Sequence, residues 1–249
     1  MIVKNSTQLS KIKTSAKINR ECLFFLKELT EPGISSYEVN IKAEEFYSKH
    51  RVKPAFKGYM GYPATINFMI NDGVVHCIPK KDITVKEGDL VSIDTGCIYK
   101  GFYSDQAISF GVGKIKPEDE KLLNIAEMSI EAGCNQCIAG NTVGDIGNAQ
   151  QTVIEMAGFN VVRQFVGHEI GKKLHDPMKI PPFGKPGQGP RLKENLLLAI
   201  ENQVCVGSNR VYTDKEDNWS TYTKDGKDCV TFEHMVIVKN NDPYIITKG

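Results

Sequence analysis

Four carboxylates interrupt segments of the chain that are otherwise apolar. Asp94 and Asp105 lie in VSIDTGCIYKGFYSDQAISF, residues 91–110, where the apolar residues predict two strands joined by a turn. Glu201 lies in LLLAIENQVCV and Glu233 in CVTFEHMVIV, and these segments predict two further strands. A carboxylate that is buried without a partner is costly and normally takes up a proton. Oxygen ligands that converge on a divalent cation would remove that cost.

Histidines accompany these acids, and the residues around them separate candidate site residues from structural ones. His76, His168 and His175 lie in VVHCIP, VGHEIG and KLHDP, beside glycine, proline or turn-forming residues that would leave room for a site. His50 ends a charged helical segment and is predicted to be solvated. His234 directly follows a candidate ligand on its strand, so its side chain is predicted to lie on the opposite face and to be structural.

The spacing of these residues excludes several short catalytic motifs. The segment HEIGKKLH has Lys172 where the zinc motif H-E-x-x-H needs its second histidine, and neither a G-x-S-x-G elbow nor a Walker loop occurs. Four carboxylates and a histidine remain, which is an oxygen-rich set with charge for more than one ion. Such a set favours Mn, Fe, Co or Mg over a closed structural zinc site. In two-metal hydrolases the ions lie about 3.5–4 Å apart and share bridging ligands.

The first half of the chain is predicted to contain two helices followed by strands. Residues 8–29 form an amphipathic pattern, and Ser35 with Glu38 forms a capping box for a second helix that ends near His50. Residues 63–110 alternate between apolar runs and tight turns, which predicts strands.

The second half repeats this order. Helices are predicted from Pro117 to about Ile138 and from Thr142 to about Gly158, and strands dominate from residue 160 onward. The stretch 177–190 is rich in proline and glycine and is predicted to be a long ordered loop. We therefore expect a single α+β domain, residues 1–249, built from two similar halves that divide near residues 113–117.

Composition narrows the class of protein. The chain has 249 residues and a net charge of +1, which argues against a nucleic-acid or membrane-surface partner. The apolar runs are too short to span a bilayer, and no signal-peptide pattern opens the chain. Seven scattered cysteines are typical of free thiols in a reducing compartment. The pair Cys134 and Cys137 falls in a helical pattern that indicates core packing. We expect a cytoplasmic protein.

Several motifs occur in an order and spacing that resemble type I methionine aminopeptidases. They are GYMGYPATINFMINDGVVHCIP, GDLVSIDTG, GFYSDQAISF, VGHEIGKKLHDP, LKENLLLAIENQV, DNW and FEHMVIV, and together they cover nearly the whole chain. The resemblance implies the pita-bread fold, in which two pseudo-symmetric halves form a curved antiparallel sheet covered by helices. It also implies removal of the initiator methionine from nascent polypeptides by a hydroxide that two metal ions activate.

The resemblance implies two divalent ions, drawn from Co, Mn, Fe, Zn and Ni. Asp105 and Glu233 match the bridging carboxylates of the family. Asp94 would hold one ion, and His168 with Glu201 would hold the other. As partners, the resemblance implies nascent polypeptides with N-terminal methionine. We also expect a transient contact with the ribosome and a monomeric protein.

Catalytic and substrate-binding residues are implied in the same way. His76 would contact the scissile amide, His175 would stabilise charge on the carbonyl oxygen, and Glu201 would assist proton transfer. The pocket for the first side chain of the substrate, which His76 and His175 would adjoin, is implied to involve Tyr59, Tyr62, Leu174 and Trp219.

Two alternatives stay open at this point. One is a proline-specific aminopeptidase of the same fold, which usually carries a long N-terminal domain before the first motif. The other is a non-catalytic relative that binds nascent chains or ribosomes, and the loss of ligands would mark it. The chain also departs from the family pattern. Met60 stands where the family usually has histidine or glycine, and Glu169, Asn202 and Met235 stand where it usually has glycine, proline and threonine, respectively. Phe56 and Asn67 stand where smaller or sulfur-bearing pocket residues are common.

Overall fold

Four α-helices and thirteen strands make up residues 1–248, the part of the chain that this computed structural model describes. The helices are α1 (Ser6–Leu29), α2 (Ser36–Lys49), α3 (Pro117–Asn135) and α4 (Val143–Met156), and Tyr59–Gly61 form a short 3-10 helix. The strands are β1 (Lys53–Pro54), β2 (Ile66–Ile70), β3 (Gly73–Val75), β4 (Leu90–Tyr99), β5 (Phe102–Gly111), β6 (Asn160–Val161), β7 (Gly167–Glu169), β8 (Asp176–Ile180), β9 (Leu197–Cys205), β10 (Val211–Thr213), β11 (Thr221–Thr223), β12 (Cys229–Ile237) and β13 (Tyr244–Ile245).

Local sequence signals account for where the helices begin. The Asn5 side chain accepts a hydrogen bond from the backbone N–H of Gln8 and caps α1. Ser35 and Glu38 form the predicted capping box of α2. Pro117 occupies the first turn of α3, where its missing N–H costs nothing. The four helices predicted from the sequence are therefore confirmed, with ends shifted by a few residues.

The strands form three antiparallel sheets. In the first, β4 pairs with β5 along its whole length and with β1 and β2 along its other edge. The second contains β10, β11 and β3. The third follows the order β13-β12-β9-β7-β8, with β6 also paired to β9. The two long hairpins, β4 with β5 and β9 with β12, are the central elements of the first and third sheets.

One sequence expectation is wrong in part. The stretch 177–190 was expected to lack regular structure, yet residues 177–180 belong to β8, which pairs with β7 at the edge of the third sheet. Pro177 fits there because an edge strand tolerates a residue without an N–H donor. Residues 181–190 are irregular, as expected.

The helices pack on the sheets and leave one side of each long hairpin free. In the first half, Val91 and Ile93 of β4 join an apolar cluster with Leu23 of α1 and Tyr47 of α2. Because side chains alternate along a strand, Asp94 lies on the face away from those helices. The second half has the same arrangement, in which α3 and α4 share a buried cluster with β9 and β12. None of the helices in residues 1–248 is both long and apolar enough to cross a membrane.

Candidate metal centre and substrate pocket

The four carboxylates project from the two long hairpins. Asp94 and Asp105 lie on β4 and β5, and Glu201 is paired directly with Glu233 across β9 and β12. Strands β5 and β12 lie side by side without a backbone ladder, and the Asp105 N–H is 3.3 Å from the Met235 sulfur. The four acids are therefore brought together where the two halves of the chain meet.

Asp105, Glu233 and His168 form the tightest part of this group. One ligand atom from each side chain lies within 4.8 Å of the other two, and all three side chains are buried. The His168 Nε2 atom is 3.6 Å from Asp105 Oδ2 and 3.9 Å from Glu233 Oε1. Asp94 and Glu201 line the same cavity outside this tight group. At these distances the His168 ring makes no hydrogen bond to either carboxylate.

Unpaired oxygens show that this site suits a cation. Within residues 1–248, Asp94 Oδ1, Asp105 Oδ1 and Glu233 Oε1 are buried and have no hydrogen-bond partner. Burial and the neighbouring carboxylates raise the pKa of Asp94 and Glu233 well above the usual range. Burial and Glu201 do the same for the pKa of Asp105. Divalent cations supply the charge that such a cluster needs, so the residues fit a metal centre.

Neighbouring residues hold two of the candidate ligands in place. The Asn67 side-chain amide donates to Asp94 Oδ2 at 2.6 Å. Gly167 precedes His168 where β7 approaches β9, and a Cβ atom at this glycine would lie 2.5 Å from the Ala199 carbonyl oxygen. Only glycine permits this close approach, which brings the His168 ring to the acids.

His175 and His76 flank the carboxylates from different loops. The His175 ring lies 4.3 Å from the His168 ring between centroids, and its Nδ1 atom is 2.9 Å from Tyr59 Oη. Desolvation lowers the pKa of the His175 imidazole, and the neighbouring His168 and His76 lower this pKa further. His76 adopts a left-handed backbone conformation with φ 57°, which is uncommon outside glycine. Burial lowers the pKa of His76 to about 4, so its imidazole is neutral at pH 7.

An aromatic wall adjoins the acids. The Tyr62 and Trp219 rings lie 5.1 Å apart in an edge-to-face contact, and the Tyr62 hydroxyl donates to the Ile66 carbonyl at 3.0 Å. The His76 ring is 5.4 Å from Phe165 and 6.1 Å from Trp219. Phe165 was not among the residues predicted from the sequence, although it lies three residues before His168 in the motif QFVGHE.

These residues enclose a cavity of about 170 Å³. Every site residue predicted from the sequence lines it: Tyr59, Tyr62, His76, Asp94, Asp105, His168, Leu174, His175, Glu201, Trp219 and Glu233. The cavity is also lined by Phe56, Met60 and Asn67, three of the departures from the family pattern. His234 lies outside it and contacts Thr247 Oγ1 at 2.9 Å, in agreement with a structural role.

The departures at Glu169 and Asn202 lie outside the cavity. Glu169 Oε1 contacts the Met1 α-amino nitrogen at 2.8 Å. The Asn202 amide donates to Ser129 Oγ at 2.7 Å and thereby ties β9 to α3. Both side chains are engaged by partners remote from the acids, so neither competes for the candidate ligand atoms.

Comparison with known proteins identifies a family. The model of metallopeptidase family M24 matches residues 10–240. The methionine aminopeptidase of Clostridium perfringens is 43% identical over 247 residues, which are 99% of this chain and 98% of that protein. Methionine aminopeptidase 1 of Bacillus subtilis is 40% identical over 223 residues, which are 90% of this chain and 89% of that protein.

Solved structures agree with this result. The crystal structure of a methionine aminopeptidase from Thermotoga maritima superposes with a TM-score of 0.96 at 36% identity, and the match covers 100% of both chains. The pita-bread fold expected from the sequence is confirmed by this match. Prolidase from Pyrococcus furiosus has a TM-score of 0.77 at 20% identity, and the match covers 100% of this chain and 66% of that one, so it shows a shared fold alone.

Proposed function

The chain belongs to metallopeptidase family M24, and from this premise we propose that its acid-lined cavity is the active site of a methionine aminopeptidase. The activity is the metal-dependent removal of the initiator methionine, because relatives with that name match nearly the full chain at 36–43% identity. The observation that carries the assignment of the site is the set of buried carboxylate oxygens that have no hydrogen-bond partner in the described part of the chain.

Five residues would hold up to two divalent ions. Asp105 and Glu233, which lie at the centre of the cluster, would bridge them. Asp94 would hold one ion, while His168 and Glu201 would hold the other. Bound ions of this kind lower the pKa of coordinated water toward neutrality and polarise a carbonyl group. The protein itself would hold the ligand atoms in place and exclude other solvent from the small cavity.

The aromatic wall would select the first residue of the substrate. A cavity of about 170 Å³ is smaller than the roughly 300–1,000 Å³ of typical ligand pockets, so it has room for one side chain of moderate size. Because the Tyr62 hydroxyl bonds to the Ile66 carbonyl, this residue presents its ring to the cavity. Methionine is unbranched and polarisable and packs well against aromatic edges.

His175 and His76 are suited to hydrogen bonding as neutral imidazoles. When the Tyr59 hydroxyl donates to His175 Nδ1, the neutral ring carries its hydrogen on Nε2. That N–H would donate to the carbonyl oxygen of the scissile bond as charge develops there. His76, neutral at pH 7, would contact the scissile amide. The Glu201 carboxylate, whose pKa is raised by burial, would accept and return a proton.

The two alternative functions, a proline-specific aminopeptidase and a non-catalytic relative, agree less well with the site and with the comparisons. The resemblance to prolidases is at the level of the fold, whereas several methionine aminopeptidases match at 36–43% identity. A non-catalytic relative is disfavoured because all five candidate ligands are present and line one cavity.

We further propose that the enzyme is a single-domain cytoplasmic monomer that contacts the ribosome transiently. The substrate supports the cytoplasmic location and the ribosome contact, since initiator methionine is removed from chains that are being synthesised.

One assay tests the proposed function. Metal-free protein would be supplemented with Mn, Fe, Co, Ni or Zn and incubated with Met-Ala-Ser and with its N-acetylated form. We expect metal-dependent release of methionine from the free peptide and none from the acetylated one. Cleavage that needs no metal, or cleavage of the acetylated peptide, would contradict the proposal.

A further inference from the structure

A solvent-exposed methionine lies at the rim of the candidate active site. The Met60 side chain is 80% exposed and also lines the cavity. Of the residues that line the cavity, Met60 and His175 are the two that are exposed. Met60 therefore lies where the chain of a bound substrate would pass from the cavity into solvent.

The loop that carries Met60 is held in a defined conformation. Met60 has a left-handed backbone with φ 49°, between Gly58 at φ 86° and Gly61 at φ 89°. Hydrogen bonds close the loop on itself, from the Gly58 N–H to the Tyr62 carbonyl at 2.7 Å and from the Tyr62 N–H to the Tyr59 carbonyl at 2.9 Å. Tyr59 is also bonded to His175, so the position of Met60 is coupled to that of a candidate catalytic residue.

The geometry of an extended peptide indicates which substrate residue would meet this side chain. The cavity of about 170 Å³ holds one side chain, so the residues after the first must lie at its rim. Side chains of an extended chain alternate, and the first and third therefore point to the same side about 6.6 Å apart. The third side chain of the substrate would then point toward the protein, as the first does, but at the rim of the cavity. The exposed Met60 side chain lies at this rim.

We propose that Met60 is a specificity residue that contacts the third residue of the substrate and favours an apolar side chain there. This inference rests on the proposed function. A flexible thioether packs against many apolar shapes. Contact with a leucine or phenylalanine at the third position would remove apolar surface of both partners from water. A serine or a charged residue at the same position gains nothing comparable.

Two peptides that differ only at the third position test the proposal. The specificity constant kcat/KM would be measured for Met-Ala-Leu-Ser and Met-Ala-Ser-Ser with the metal-loaded enzyme. We expect wild type to prefer leucine about five-fold, which is less than an enclosed pocket gives for a comparable apolar contact. Met60→Ala should reduce the ratio of kcat/KM for the leucine peptide to kcat/KM for the serine peptide to near one, and Met60→Leu should restore this ratio. Met156→Ala is the matched control because Met156 is 84% exposed on α4, outside the cavity lining, and it should keep the wild-type ratio.

The outcomes separate this inference from the function on which it rests. Equal ratios in wild type and Met60→Ala, with both peptides cleaved, would overturn the role of Met60 and leave the aminopeptidase assignment standing. Failure of the wild-type enzyme to cleave any peptide with N-terminal methionine would overturn both. A ratio that falls equally in Met156→Ala would also overturn the proposal, since the effect would not depend on the rim.

Discussion

Asp105→Asn is the most informative test of the metal centre. Asp105 is buried, its Oδ1 atom has no hydrogen-bond partner among the described residues, and its Oδ2 atom lies 3.6 Å from His168 Nε2. Replacing the carboxylate with an amide removes one negative charge and one anionic ligand while the volume of the side chain is kept. Metal binding should weaken sharply, because the amide cannot supply the charge that two ions would share.

The size of the effect follows from linkage. A ligand present at 100 times its Kd stabilises the folded state by about 2.7 kcal/mol. For a protein of about 150–250 residues, 1 kcal/mol shifts Tm by roughly 2–4 °C, so metal should raise the wild-type Tm by about 5–11 °C. In Asp105→Asn that increase should largely vanish. The metal-free variant should be at least as stable as metal-free wild type, because a desolvated acid in a cluster of acids has been neutralised.

Thermal denaturation of each protein, with and without a divalent ion, measures both effects. Metal content after gel filtration gives an independent readout that does not depend on activity. Asp242→Asn, at an exposed position, is the control and should keep the wild-type response. If Asp105→Asn bound metal and gained Tm as wild type does, Asp105 would not be a ligand. If the metal-free variant were several kcal/mol less stable than metal-free wild type, the argument about desolvated charge would be wrong.

Further predictions concern catalysis, specificity, the thiols and the core. His175→Ala should lower kcat by roughly 10²–10³ with metal content and Tm nearly unchanged; loss of metal would make it a ligand instead. A peptide panel should show a requirement for N-terminal methionine and a preference for a small second residue, whereas indifference to the first residue and preference for proline second would indicate the proline-specific relatives. Ellman's reagent should react only after denaturation, because all seven thiols are buried and burial raises the pKa of Cys22 and Cys77 to about 12. Tyr47→Phe should lower the free energy of unfolding in urea by about 1–3 kcal/mol, because its buried hydroxyl donates to Asn19 Oδ1 at 2.5 Å, and an unchanged midpoint would contradict that role.

Much of the local structure could be predicted because its causes lie within a few residues. Capping boxes mark the starts of α2 and α4, and Pro117 marks the start of α3. Strand alternation was enough to place His234 and its neighbour Glu233 on opposite faces, because that relation is a property of one extended segment.

Relations between distant segments were decided by the tertiary structure. Asp105 and Glu233 approach each other because β5 and β12 lie side by side, and no local signal specifies that contact. The expectation for 177–190 was wrong at β8 because edge pairing with β7 outweighs the local composition.

The sequence by itself determined which residues could bind a metal ion and which could contact a methionine side chain. It did so through residue type, the alternation of side chains along strands and the order of motifs. The tertiary structure decided which donors lie within reach of one another, how large the cavity is, and that Met60 faces solvent at its rim. The physical reason is that residue type and strand parity are local properties, whereas separation and burial depend on how remote elements pack.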